Sequence, residues 1–324
     1  MVGAELLVIL DGASEPWDGA RPTSLERART PALDALASDG ELARVRTVPD
    51  GLPAGSETAI PVLLGCVPAE QVDRASIEAA AHGIRVAPGQ RAWRVDVRAA
   101  DGARADAAAT REAAHALATA APGHTVHRLA GHRLLLVGAA PPAAAHAAHL
   151  RLWPAGAVLR NVLGEDTVVV AARAAACGIA TLLGASVVVP RGATGDDATD
   201  LHAKAAAAVA VLGAGATRVV VHAAGADEAA HTLDASAKVA FLERADRELV
   251  APLAAAAARH GVVLRICPDH GCDPSTGAHD AHPVPHLTWS GPPPAPGRRT
   301  PRRLTERDAA AFDVLDLTTQ LIPA

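Results

Sequence analysis

The chain has 324 residues, half of them hydrophobic and a fifth charged, which is the composition of a globular protein with one large core or two domains. A formal net charge of −5 argues against a general nucleic-acid binder, and no stretch reaches the roughly 18 unbroken apolar residues of a transmembrane helix. Four scattered cysteines, and an N-terminus that enters a strand without a signal peptide, predict a cytoplasmic protein.

Apolar strand-like runs alternate along the chain with alanine-rich helical stretches. The predicted strands are 5–10, 133–138, 167–171, 186–189, 218–222 and 262–267. The predicted helices are 30–39, 57–64, 107–121, 197–213 and 235–260. This alternation favours an α/β fold with a mostly parallel sheet and helices on both faces. Ligands of such sheets bind at the carboxyl ends of the strands.

The segment 76–165 is less regular than the rest of the chain. It contains a patch rich in Pro and Ala and several Arg and His residues. We therefore predict that it forms a small inserted domain, and that the main domain is discontinuous and consists of 1–75 and 166–324.

Carboxylates and imidazoles follow three of the predicted strands. Asp11 follows the first strand, Asp227 and His231 follow strand 218–222, and Asp269 and His270 follow the last strand. Because the carboxyl ends of parallel strands lie at one edge of a sheet, these side chains are expected in one crevice. Mixed carboxylate and imidazole ligands suit Mn²⁺, Zn²⁺ and similar cations, so the pattern predicts a metal site.

Ser56 precedes an apolar helical run and is preceded by Gly55. At a helix N-terminus a serine can face an anion such as phosphate, because unpaired N–H groups and the helix dipole favour negative charge. The alternative is that Ser56 is an ordinary N-cap. Two cysteines, Cys267 and Cys272, flank the Asp269-His270 pair and either contact a metal or fill space near it.

Together these motifs resemble the alkaline-phosphatase superfamily, and more closely the cofactor-independent phosphoglycerate mutases of the archaeal type and their bacterial relatives. The resemblance implies an alkaline-phosphatase-like α/β fold with a mostly parallel sheet, helices on both faces and a smaller inserted α+β domain. Matching stretches run nearly end to end and are Thr30–Asp34, Gly55–Ala59, Arg74–Glu78, Gly131–Arg133, Gly192–Gly195, Asp227–His231, Lys238, Pro268–His270, His279–Pro285 and Leu304–Asp308.

The resemblance also implies roles for individual residues and two divalent metal ions (Mn, Zn, Co or Mg) as cofactors. Ser56 would be the nucleophile that accepts a phosphoryl group. One metal would be held by Asp11, Ser56, Asp269 and His270. The other metal would be held by Asp227, His231 and His279.

Four basic residues are candidates for binding the phosphorylated substrate, since Arg offers bidentate hydrogen bonds to phosphate. They are Arg74, Arg94, Arg133 and Lys238; the alternative for each is a surface salt bridge. The family's Phe-Arg-Cys-Asn string is here Trp93-Arg94-Val95-Asp96, and its Gly-Arg-Gly motif is here Asp73-Arg74-Ala75. The metal ligands are thus retained, whereas the residues around the substrate have changed.

The predicted function is metal-dependent phosphoryl transfer through a phosphoserine, as an isomerase that interconverts 3-phosphoglycerate and 2-phosphoglycerate without 2,3-bisphosphoglycerate. The alternatives are a metal-dependent phosphatase or phosphotransferase for another small phosphorylated metabolite, and a degenerate, non-catalytic relative. The expected partner is a small phosphorylated metabolite, not nucleic acid or a membrane, and the chain is compatible with a homo-oligomer.

Overall fold

A computed structural model describes residues 4–291 and 300–317 of the chain. In chain order the strands are β1 (Glu5–Leu10), β2 (Glu41–Arg46), β3 (Arg91–Val97), β4 (His124–Arg128), β5 (Arg133–Gly138), β6 (Leu150–Leu152), β7 (Thr167–Val170), β8 (Ser186–Val188), β9 (Arg218–Ala223), β10 (Val263–Cys267), β11 (Gly271–Cys272), β12 (His279–Asp280), β13 (Val284–Trp289) and β14 (Val314–Asp316). The helices are α1 (Ser24–Arg27), α2 (Pro31–Asp39), α3 (Ser56–Leu63), α4 (Arg74–Ala81), α5 (Ala107–Ala120), α6 (Ala175–Leu183), α7 (Leu201–Gly213), α8 (Gly225–His231), α9 (Ala235–Ala245), α10 (Ala251–His260) and α11 (Glu306–Ala309).

The chain divides into two compact units. The larger unit combines the segment up to Ala69 with the segment from Arg160 onward, and the smaller unit is Glu70–Leu159. The sequence predicts an inserted domain over 76–165, and these exact limits stay a prediction.

The larger unit is built on an eight-stranded sheet in the order β14-β2-β13-β10-β1-β9-β7-β8. All of its pairs are parallel except those that β13 makes with β10 and β2. The predicted α/β fold with a mostly parallel sheet is therefore confirmed.

Strand β1 lies at the centre of this sheet and is buried on both faces. Leu6, Val8 and Leu10 belong to a core cluster that includes apolar residues of α2, α7, α9 and α10. Leu7 and Ile9 point to the opposite face, because successive side chains of a strand alternate, and they are buried as well. A near-continuous apolar run of this kind is typical of a parallel strand covered on both sides.

The smaller unit has an antiparallel sheet in the order β4-β5-β3-β6. One face packs against α5, with Val95 and Leu134 in the shared core. The other face packs against α4, with Ala79 and Leu135 in contact there. Helices on both faces of an antiparallel sheet make this unit α+β.

The structure differs from the predicted elements in two main ways. The single helix predicted over 235–260 is interrupted by a π-helical turn, Asp246–Val250, between α9 and α10. Pro252 explains the interruption, since proline has no N–H to donate and its ring crowds the carbonyl four residues earlier. The second difference is that several strands were not predicted: β2, β3, β4, β6, β11, β12, β13 and β14. Two of them lack an unbroken apolar run, because β3 carries buried Arg94 and Asp96 and β13 contains Pro285.

Among the described residues, none of the helices combines the length and the apolar character that crossing a membrane requires. None of the four cysteines, all of which lie among the described residues, is in a disulfide bond.

Candidate metal centre

The centre lies in the larger unit, where three neighbouring parallel strands end. Strand β1 runs between β9 and β10, and Asp11 follows its last residue. Helix α8, which follows β9, carries Asp227 and His231 one turn apart. Asp269 and His270 follow β10. The sheet therefore brings together side chains that are far apart in sequence, as the strand-end pattern predicts.

One group of donor atoms surrounds Asp11. The hydroxyl of Ser56 donates to the Asp11 carboxylate at 3.3 Å. The Nε2 atom of His270 lies 3.3 Å from Asp11 Oδ1 and 3.6 Å from Asp269 Oδ2. His270 Nδ1 is 3.1 Å from the carbonyl of Gly271, so a proton on Nδ1 would turn the lone pair of Nε2 towards the two carboxylates.

Gly12 allows the chain to turn tightly inside this group. Its φ is +60°, and a Cβ atom there would lie only 2.6 Å from Asp227 Oδ1. Its N–H donates to Asp269 Oδ1 at 3.0 Å. The N–H of His270 donates to the same oxygen at 2.9 Å, which leaves Asp269 Oδ2 to face the centre.

A second group of donor atoms surrounds Asp227. His231 Nε2 is 3.3 Å from Asp227 Oδ2, and His279 Nε2 is 3.1 Å from Asp227 Oδ1. The two imidazole Nε2 atoms are 3.0 Å apart. His279 Nδ1 is 3.2 Å from the carbonyl of Ala54, just before Ser56 in the chain, so the loop before α3 is tied to this group.

The pKa values of Asp269 and Asp11 show how buried carboxylates this close together affect each other's ionisation. Burial and the nearby Asp11 raise the pKa of Asp269 to about 7. Burial and Asp227 also tend to raise the pKa of Asp11, but His222 and His270 outweigh them and hold it below its ordinary range. Bound cations would stabilise all three groups in their ionised form.

Several buried atoms of the centre have no hydrogen-bond partner among the described residues, although they lie close together. They are His222 Nε2, Asp227 Oδ1, Asp269 Oδ2 and His270 Nε2. Buried polar atoms are normally paired, and each unpaired one costs about 1–3 kcal/mol. Donor atoms that converge on common points without bonding one another are what a metal site requires. The oxygen and nitrogen donors therefore fit divalent metal ions.

The structure adds two residues to the predicted set. His222, at the end of β9, lies with Asp11 and Asp269, and Cys272 lies with the Asp227 group. A sequence signal existed for His222, because it ends an apolar strand only five residues before Asp227. Burial raises the pKa of the Cys272 thiol, so the thiol stays protonated when no metal is bound.

The three predicted substrate arginines lie together in the smaller unit, around the buried carboxylate of Glu78. Arg94 Nη1 is 3.0 Å from Glu78 Oε1, and Arg74 Nε and Arg133 Nη1 are 3.5 Å and 3.6 Å from the same oxygen. Burial tends to raise the pKa of Glu78, but the three arginines outweigh it and hold this pKa below its usual value.

Arg94 is held from a second side as well. Its Nε donates to Asp96 at 3.0 Å, and its guanidinium lies 4.3 Å from the centre of the Trp153 ring. Trp153 Nε1 in turn donates to Asp96 at 2.8 Å. The resembling family has Asn at the position of Asp96, so in this chain a second carboxylate contacts Arg94. The role of these arginines in binding substrate stays a prediction.

The structure places Lys238 inside the larger unit, with no exposed surface. Its ammonium donates to the carbonyls of Cys272 and Ser14 at 2.6 Å and 3.2 Å and lies 3.2 Å from Glu15 Oε1. These three acceptors match its three donors, so the residue anchors β11 at Cys272, a member of the Asp227 group. Its predicted role in binding substrate remains untested.

Comparison with known proteins agrees with this geometry. The sequence model of a family described as the metalloenzyme superfamily matches residues 4–298. A curated 2,3-bisphosphoglycerate-independent phosphoglycerate mutase from Methanosarcina barkeri is 42% identical over 76 residues. That match covers 23% of this chain and only 19% of the relative, so most of the relative's length lies outside it.

Solved structures match over nearly the whole chain. A protein from Pyrococcus horikoshii is 26% identical with a TM-score of 0.78, and the match covers 99% of this chain and 96% of that one. A cofactor-independent phosphoglycerate mutase from Thermoplasma acidophilum is 19% identical with a TM-score of 0.58, and the match covers 98% and 97%. The latter shows a shared fold, and the resemblance seen in the motifs is confirmed.

Proposed function

This chain belongs to the metalloenzyme superfamily, and on that premise we propose that it is a metal-dependent phosphoglycerate mutase that acts through a phosphorylated Ser56. The single observation that carries the proposal is the position of the Ser56 hydroxyl. It lies in the first turn of α3 and faces Asp11 at 3.3 Å, within a buried group of metal-type donors. The reaction would interconvert 3-phosphoglycerate and 2-phosphoglycerate.

The surroundings of Ser56 suit a nucleophile. Its hydroxyl is not used as a helix cap, since Gly55 occupies the N-cap position of α3. The N-terminus of α3 favours an incoming phosphoryl group, because its N–H groups and dipole attract anions. Asp11 accepts the hydroxyl hydrogen bond and orients the Oγ atom for attack.

We assign the metal ligands as the resemblance implies. Asp11, Ser56, Asp269 and His270 would hold one divalent ion. Asp227, His231 and His279 would hold the other. Such ions would lower the pKa of the serine hydroxyl and offset the charge of the phosphoryl oxygens during in-line displacement. Mn²⁺, Zn²⁺ or Co²⁺ suits these mixed donors better than Mg²⁺ does.

A second function is favoured by the arginines of the smaller unit. Arg94 is buried and already paired with Glu78 and Asp96, so part of its charge is neutralised within the protein. An arginine paired in this way offers less positive charge to a substrate than an unpaired one would. The second candidate is therefore a phosphatase or phosphotransferase that uses the same Ser56 chemistry on another small phosphorylated metabolite.

One assay separates the two candidates. The purified protein, loaded with Mn²⁺, is incubated with 3-phosphoglycerate while 2-phosphoglycerate and free phosphate are followed together. Formation of 2-phosphoglycerate without free phosphate supports the mutase, and free phosphate alone supports the phosphatase. If neither appears, and a panel of phosphate esters never labels Ser56, both enzymatic proposals are rejected in favour of a non-catalytic relative.

We further propose that the protein acts in the cytoplasm on a small metabolite. The four cysteines, none of which is in a disulfide among the described residues, are compatible with a reducing compartment. Cell fractionation with an antibody against the protein tests this location.

A further inference from the structure

His222 lies at the metal centre, although neither the motifs nor the resemblance assign it a role. Strand β9 places it beside Ile9 of β1, next to the turn that carries Asp11. Its side chain is buried, with 4% of its surface exposed. Its Nε2 atom lies 3.0 Å from Asp11 Oδ2. The donor atoms of Asp11, His222 and Asp269 all lie within 4.8 Å of one another.

Asp11 has an imidazole on each side. Its Oδ1 atom faces His270 Nε2 at 3.3 Å, and its Oδ2 atom faces His222 Nε2 at 3.0 Å. Neither Nε2 atom has a hydrogen-bond partner among the described residues. His222 thus meets the carboxylate in the same way as His270, which is already assigned as a ligand.

We propose that His222 is a direct ligand of the divalent ion held by Asp11 and Asp269. The inference rests on the proposed metal site and extends it by one residue. That ion would then have two imidazole ligands, His222 and His270, together with the oxygen atoms of Asp11, Asp269 and Ser56.

The backbone at His222 is fixed for this role. Lys204, a fully buried residue of α7, donates from its Nζ atom to the His222 carbonyl at 3.0 Å. This hydrogen bond holds the end of β9 against α7. A metal ligand needs such support, because its orientation must be set before the ion arrives.

Charge argues that His222 joins an existing ion and does not hold a third one. The centre contains three carboxylates, Asp11, Asp227 and Asp269. Two divalent ions already exceed their combined negative charge. Lys204 adds a further basic group close by, since its Nζ atom donates to the His222 carbonyl. A third divalent ion would leave the buried centre with a large uncompensated charge.

A second imidazole would also influence which metal binds. Oxygen-only ligands suit Mg²⁺, whereas imidazole suits Zn²⁺, Co²⁺ and Mn²⁺. We therefore expect His222 to raise the preference of this ion site for the latter metals.

The test begins with the unaltered protein loaded with ¹¹³Cd²⁺. Proton–cadmium correlation spectra detect the ring protons of each metal-bound histidine. We expect signals from four histidines, His222, His231, His270 and His279, and two bound ions per chain by elemental analysis. His222→Gln should remove one of the four signals. In titration calorimetry it should weaken the binding of one ion by more than the roughly 10- to 100-fold that loss of a residue supporting a ligand costs.

His286→Gln is the matched control, because His286 is also a buried histidine on the same sheet but belongs to none of the metal groups. It should keep all four signals and both affinities. Only three histidine signals in the unaltered protein, or three bound ions per chain, would overturn the inference even if His222→Gln fails to fold. Failure to bind any divalent ion would instead reject the proposed function itself.

Discussion

At the residue scale, Ser56 is a position for which the sequence allows two interpretations. As a serine at a helix start, it could be either an N-cap or a nucleophile. The structure places Gly55 at the N-cap and turns the Ser56 hydroxyl to Asp11. The hydroxyl is thus held at the metal centre instead of being used to end a helix.

Ser56→Ala should lower turnover by at least about three orders of magnitude, because the phosphoryl group would have no acceptor. Metal content should stay nearly intact, since the carboxylates and imidazoles remain. Steady-state assays and elemental analysis check both expectations. Ser186→Ala, at an exposed serine, is the control and should behave like the unaltered protein. Full activity in Ser56→Ala would exclude this residue as the nucleophile.

His286 provides a second prediction at this scale. Burial, with a smaller effect from Arg265, lowers the pKa of His286 to about 4 from an ordinary value of 6.5. Between these values the unfolded chain binds a proton that the folded protein does not. Above about pH 6.5 His286 therefore costs the folded state nothing. As the pH falls from 6.5 towards 4, proton binding by the unfolded chain lowers the free energy of unfolding, by about 3 kcal/mol in total.

Urea denaturation in a chelator at a series of pH values tests this expectation. The free energy of unfolding of His286→Gln should fall less steeply between about pH 6.5 and 4 than that of the unaltered protein. Parallel pH profiles for the two proteins would show that His286 is not the group responsible.

At the scale of elements, the smaller unit depends on a cross-link between α4 and the antiparallel sheet. Glu78 of α4 has no exposed surface and faces arginines from α4, β3 and β5. A buried carboxylate among three arginines is stabilising only while the carboxylate and the arginines are all charged. Removing one partner leaves the other charges buried and unpaired.

Glu78→Gln should therefore lower the free energy of unfolding of the smaller unit by about 3 kcal/mol. Hydrogen exchange at β3 and β5, followed by mass spectrometry, measures this loss locally. Glu112→Gln on the exposed face of α5 is the matched control and should change stability by less than about 0.5 kcal/mol. Equal exchange in the two variants would mean that the carboxylate contributes little.

At the scale of the whole molecule, the two units should respond differently to metal. The proposed ligands all lie in the larger unit, and most of them follow β1, β9 and β10. Removing the ions should leave buried carboxylates that repel one another. At ion concentrations of about 100 times the dissociation constant, each ion stabilises the folded state by about 2.7 kcal/mol.

Chelation should accordingly speed hydrogen exchange at the ends of β1, β9 and β10, and added Mn²⁺ should reverse the change. Exchange in β3 and β5 of the smaller unit should stay the same and serves as the internal control. A uniform change in both units would contradict a metal centre confined to the larger one.

Much of the centre could be predicted from the sequence because its chemistry is encoded locally. Apolar runs predict strands, and Asp11, Asp227 and Asp269 each follow one of them. The alternation of strands and helices predicts a parallel sheet, whose strand ends share one edge. The family resemblance then assigns Ser56 and the imidazoles to that edge. The structure places the Ser56 hydroxyl against Asp11 and the imidazoles beside Asp11 and Asp227.

Other features depend on contacts between distant segments and so could not be predicted. The pairing of β1 with β9 puts His222 beside Asp11. The sequence shows that His222 lies near the end of an apolar strand, but it does not show which strand lies next to it. The convergence of three arginines on Glu78 and the burial of Lys238 likewise arise only when helices and strands pack. The sequence by itself determined the strands at the centre of the parallel sheet and which of them are followed by carboxylates and imidazoles. Only the tertiary structure decided which charges meet, since long-range packing sets the distance and burial that make a carboxylate a ligand or a salt-bridge partner.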